Sequence, residues 1–139
     1  LRLGGKMGPA SGDPIELVAR VDAISENYTH IWPQQSGEAI KWYCGNVTAL
    51  SCQGIDIVVS SERCQCFSPS IFEDLGIDPT QKRLLIPKSI QHFHGAFAPI
   101  AAEIIYMAAP GAVVPIMQDI PYRKMPTGDK FPWVENPRF

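Results

Sequence analysis

The sequence predicts an α/β fold: a mixed parallel/antiparallel sheet, two or three short helices and an extended Pro-rich C-terminal tail. Three observations carry this expectation. Residues 15–24 alternate between apolar and polar side chains. The runs 39–44, 46–52 and 55–60 are β-prone and separated by turn residues. Between 55 and 107, strand-like and helix-like segments follow one another, the order that builds parallel strands through crossover helices.

Residues 4–14, Gly-Gly-Lys-Met-Gly-Pro-Ala-Ser-Gly-Asp-Pro, read as turn and loop. From 15 to 24, Ile15, Leu17, Ala19, Val21 and Ala23 fall on one face and Glu16, Arg20 and Asp22 on the other, a strand with one wet face. Residues 25–38 contain Asn27, Pro33, Ser36 and Gly37 and read as a long connection, with a short strand at 28–32. A break at Gly45-Asn46 splits 39–52 into a hairpin, and Gln53-Gly54 is the next turn. Ile57-Val58-Val59 is continuous and apolar, as in a strand covered on both faces. Ser68-Pro69 starts a short helix that Gly76 stops. Asp78-Pro79 is a turn, 83–86 a buried-type strand, and Ser89 caps a second helix over about 90–102 that Pro99 interrupts. Residues 103–107 form the last strand, and the chain beyond Pro110 is too rich in proline for helix or central strand.

A chain of 139 residues can bury a sizeable core. Its 45% hydrophobic and 19% charged residues exclude a highly charged disordered chain, a collagen and a coiled coil. No apolar run approaches a membrane span. The net charge of −2, without a Lys/Arg block, argues against nucleic acid or an anionic membrane as partner. The chain begins Leu1-Arg2-Leu3, without Met or the pattern of a signal peptide, and reads as a piece of something longer.

Cys44, Cys52, Cys64 and Cys66 are too sparse for a small disulfide scaffold, so reduced thiols and a cytoplasmic setting are expected. Their spacing, seven residues between one pair and one between the other, departs from the paired ligands of structural zinc sites. His92 and His94 would share a face on a strand but diverge on the expected helix. No metal ligand is therefore assigned to this chain. Gly4-Gly5-Lys6 lacks the phosphate-loop pattern, and a close approach of backbone to another segment explains the glycines better. There is no His-Glu-x-x-His, no nucleophile elbow and no arguable Ser-His-Asp triad.

The most informative segment is Pro87-Lys88-Ser89-Ile90-Gln91-His92-Phe93-His94. It lies beyond the carboxyl end of an expected strand and opens an expected helix, where ligands bind in open α/β sheets. Backbone N–H groups at Ser89 and the charge of Lys88 would favour an anion, and His92 can serve as acid, base or ligand. A solvated Lys88 and a structural His92 are the alternative.

Several of these stretches resemble one family. Residues 3–14, with Gly4-Gly5-Lys6 and Gly8-Pro9, are similar to the opening motif of MlrC-like zinc metallopeptidases. Leu75-Gly76-Ile77-Asp78-Pro79, Lys88-Ser89-Ile90-Gln91-His92-Phe93 and Ala96-Phe97-Ala98-Pro99-Ile100-Ala101 resemble its central signature. Ala109-Pro110-Gly111 and Pro121-Tyr122-Arg123-Lys124 resemble its ending. His94 stands where the family carries a basic Arg, and the tail from Met125 is longer than the family's.

The resemblance implies an MlrC-like C-terminal domain over 1–124, followed by a Pro-rich tail over 125–139. It implies a partner, the N-terminal metallopeptidase domain, which would hold the zinc, and a small peptide as substrate. Lys88, Ser89, His92, Phe93 and Lys6 are the candidate substrate-binding residues, and the chain alone is expected to be inactive. The competing readings are a non-enzymatic binding module of the same fold and a small Cys/His metal-binding protein.

Overall fold

The computed structural model describes residues 1–6, 8–32, 34, 36–109 and 114–136. They form two compact units, one of Leu1 with residues 17–104 and one of residues 2–16 with 105–139.

The first unit is built on a three-stranded antiparallel sheet of β3 (Arg20–Trp32), β4 (Ile40–Cys52) and β5 (Ile55–Ser60), in that order. β3 is rich in the β-branched and aromatic residues that favour a pleated surface, and it runs unbroken through the stretch expected to be a connection. Its register against β4 shifts at Asp22 and again near Asn27, whose φ of 52° is tolerated by its short polar side chain. The Asn27 N–H donates to the Asn46 side-chain oxygen at 3.1 Å, so the bulged donor is not orphaned.

β4 is also continuous, and the hairpin expected at Gly45-Asn46 is a bulge instead. Both halves of β4 pair with β3, with Tyr28 opposite Gly45. Gly45 has φ 68°, and a Cβ there would lie 2.2 Å from the Ser61 hydroxyl oxygen. The strand bends at this point to let 61–62 pair beside it, with the Glu62 N–H on the Cys44 carbonyl. The Gln53-Gly54 turn forms as expected. Both residues have positive φ, 51° and 81°, the two-residue geometry that matches strand twist, and Cys52 faces Ile55 across it.

One face of the sheet carries the core. Tyr28, Cys44, Val47 and Ala49 pack with Ile71 and Leu75, flanked by Ala23, Val58, Phe72 and Ile77. Ile71 comes from α1 (Ser70–Glu73), which starts just after the expected Ser68-Pro69 signal. Ser68 does not cap it; its hydroxyl donates to the Ile31 carbonyl. Gly76, at φ 80°, ends the turn as expected: the Gly76 N–H reaches the Glu73 carbonyl and the Ile77 N–H the Phe72 carbonyl. That is the Schellman pattern, with Ile77 and Phe72 both packed on the core.

The α/β expectation is overturned. Every strand pairing among the described residues is antiparallel. The expected strands at 83–86 and 103–107 do not form. Leu84, Ile86, Ile105, Tyr106 and Met107 are exposed, and an apolar run with no neighbouring strand to complete its ladder gains nothing from extended geometry. The expected helix over 90–102 shrinks to α2 (His94–Phe97) followed by a 3-10 turn, Ala98–Ile100, that restarts at Pro99. Without helices of crossover length there is no device to bring strands parallel.

In the second unit β1 (Arg2–Leu3) pairs antiparallel with β2 (Ile15–Glu16), and Arg2 and Glu16 form an ion pair at 3.3 Å. The strand expected over 15–24 is thus divided between β2 and β3. Between β1 and β2 the glycine-rich loop turns tightly. A Cβ on Gly5 would lie 2.4 Å from the Pro14 nitrogen, the close backbone approach its glycines anticipate. The chain expected to be extended beyond Pro110 contains turns over 114–136, with a 3-10 turn at Met117–Asp119. Tyr122 meets Trp133 edge-on at 5.4 Å. Residues 110–113 and 137–139 lie outside the described residues.

Candidate functional site

The first unit gathers an aromatic cluster at the end of β3 and β4 where Trp32 pairs with Ile40. Strand alternation sets Tyr28, His30 and Trp32 on one face, and the register puts His30 opposite Trp42. The segment after β5 crosses this face. Phe67 stacks on His30 at 5.8 Å and on Trp32 at 4.9 Å, and Trp42 meets Phe67 edge-on at 5.6 Å.

His30 is fully buried and fixes that crossing. Its Nε2 accepts the N–H groups of Phe67 at 3.1 Å and Ser68 at 3.2 Å. An Nε2 that accepts two bonds carries no proton, so the proton of the neutral ring sits on Nδ1, a buried atom with no hydrogen-bond partner among the described residues. Burial holds the His30 pKa below its ordinary value, although the charge of Asp74 pulls the other way. Asp74 accepts from the Tyr28 hydroxyl at 2.8 Å, and burial together with that bond raises the tyrosine's pKa.

The segment singled out from the sequence lies on this cluster. His92 meets Trp32 edge-on at 4.9 Å and Phe67 at 5.9 Å. The Gln65 side-chain oxygen accepts from the Ser89 hydroxyl at 3.1 Å and lies 3.3 Å from His92 Nδ1. Facing an acceptor, Nδ1 carries the proton, and Nε2 is left with a lone pair on an exposed ring. Such an atom can accept a hydrogen bond.

The structure thus joins Ser89 and His92 through Gln65. Lys88 is exposed beside Ser89 in the chain. Phe93 is buried against Phe97, which in turn meets Phe72. Lys6 belongs to the second unit. The helix expected to open at Ser89 begins at His94 and is four residues long, so no helix N-terminus stands at Lys88-Ser89 to attract an anion. Sequence reading passed over Gln65, His30, Trp32 and Trp42. The alternation of Tyr28, His30 and Trp32 in the short strand expected at 28–32 is the signal that could have found them.

All four cysteines are free. Burial raises the thiol pKa of Cys44 and Cys66, each pushed up to about 12. Among the described residues no group of three or more His, Cys, Asp or Glu side chains is arranged to hold a metal ion. No step through zinc is assigned to the described residues. No described helix is long and apolar enough to cross a membrane.

Residues 1–124 match the family model described as the MlrC C-terminus, and the chain belongs to that family. Over 109 residues it is 35% identical to microcystinase C of a Sphingomonas species, a match covering 78% of this chain and 20% of that protein. The chain thus spans about a fifth of the length of the curated relative it matches.

Proposed function

We propose that this chain is the C-terminal domain of an MlrC-like zinc metallopeptidase that hydrolyses small peptides, linearised microcystin-type peptides among them. In this reading it forms one wall of the substrate cleft, the N-terminal region holds the zinc, and the chain alone is inactive. The observation that carries the reading is the Ser89–Gln65–His92 group set on the Trp32–Phe67–Trp42 surface. Aromatic rings offer apolar area to a peptide side chain. His92 Nε2 accepts a hydrogen bond from a peptide N–H, and Gln65 holds the ring in that tautomer. The exposed Lys88 supplies positive charge for a substrate carboxylate. Family membership over 1–124 and the name of the Sphingomonas relative support the peptidase class.

The test is kcat/KM for a linear peptide in the intact enzyme carrying this domain. Lys88→Ala and His92→Ala are each expected to lower it by roughly 10- to 100-fold, the cost of a charge-assisted or well-placed contact. Unchanged values for both would remove this surface from the substrate cleft.

A further inference from the structure

We propose that the face of the β3–β4–β5 sheet turned away from α1 is the surface on which the N-terminal region of an MlrC-like protein docks, an inference that rests on the reading of this chain as a C-terminal domain. The register defines that face. Val21, Leu50 and Ile57 form one cross-strand row, Ile24, Thr48 and Val59 the next, and Ile55 extends it beside Cys52. Their strand neighbours Ala23, Ala49 and Val58 point to the opposite side and pack into the core with α1.

An antiparallel sheet with one solvated face normally alternates apolar with polar residues. This sheet does not. Ala49-Leu50 in β4 and Ile57-Val58-Val59 in β5 present apolar side chains on both faces, the pattern of a sheet covered twice. Among the described residues the second face is covered at its centre and open toward its edges, with Thr48, Ile57 and Val59 half-buried. Ile24 and Ile55 are each 63% exposed and Val21 54%, around a Leu50 that is 5% exposed. Exposed apolar residues that rim a buried apolar one on the same sheet face mark an interaction surface.

The occupant follows from the comparisons. The family is described as a C-terminus, and the match takes up 20% of microcystinase C, so the relative carries a region some four times longer than the one matched here. That region is a partner held at high effective concentration by covalent linkage, and it is large enough to cover a three-stranded sheet.

The experiment co-expresses this chain with the remainder of the Sphingomonas microcystinase C, lacking its own matching segment, and measures how much co-purifies. Ile24→Glu and Ile55→Glu place a charge on the face without touching the core. Ile24→Thr keeps a β-branched residue if the charged variants fold poorly. Each Glu variant is expected to co-purify at least about tenfold less than the native chain while melting like it. Equal co-purification overturns the proposal, as does a native chain that fails to co-purify. A native chain that is a dimer in light scattering and that Ile24→Glu splits assigns the face to a second copy and overturns it too. His92→Ala separates the two readings. If it impairs peptide hydrolysis while Ile24→Glu still assembles, the cleft reading stands and the docking proposal falls. If hydrolysis survives His92→Ala while Ile24→Glu abolishes assembly, docking stands and the cleft reading falls.

Discussion

His30 shows how much one side chain organises here. Its Nε2 takes two N–H groups from consecutive residues of a buried segment. His30→Leu leaves both donors buried without that acceptor, each costing about 1–3 kcal/mol, so a loss of about 2–6 kcal/mol is expected in urea unfolding. A loss below about 1 kcal/mol would mean that the segment finds other acceptors. The same geometry sets a pH dependence. The folded-state pKa lies below the ordinary 6.5, so the folded chain binds fewer protons than the unfolded chain as the pH falls through that value. The contribution is complete above 6.5 and lost progressively below it. The urea midpoint should drop between pH 7.5 and 5.5, and drop less in His30→Leu; an equal drop in both would trace the effect to other groups. The short strand expected at 28–32 includes His30, but its two donors lie 37 and 38 residues away and only the folded chain brings them to it. By contrast Ser89 and His92 were legible, because their segment is dense in polar chemistry. Their partner Gln65 was not, because only the folded chain brings it within reach across 24 and 27 residues.

At the scale of elements, some local signals hold and others yield to long-range pairing. Gln53-Gly54 makes its turn because two residues decide it, and Gly76 ends its helix turn for the same reason. Gly45-Asn46 carries an equally strong local signal yet forms a bulge, since pairing with β3 along both halves of β4 outweighs a turn that would divide them. Gly45→Ala tests that account. It puts a Cβ against the Ser61 hydroxyl and holds a non-glycine residue at φ 68°, for an expected loss of about 1–3 kcal/mol. A neutral outcome would show that the bulge relaxes freely. The parallel strands failed for a related reason. Residues 83–86 and 103–107 have suitable composition, but strand formation requires a partner, and composition does not reveal whether one exists.

For the whole molecule, the family was readable from ordered motifs while the architecture was not. Gly4, Gly5, Gly76 and the Lys88–Phe93 signature are among the residues that carry the resemblance, and these sit in turns and loops whose conformation is set locally. The sheet that supports them is specified by pairing register, which a single sequence leaves open. The central claim is that this domain shapes a substrate cleft and leaves the hydrolytic metal to another region. Zinc content per chain, measured by elemental mass spectrometry on protein purified under reducing conditions, tests it most directly. The account predicts a value near zero for this chain alone. About one zinc per chain would contradict it, because cysteines or histidines here would then be ligands and the chemistry would belong to this domain.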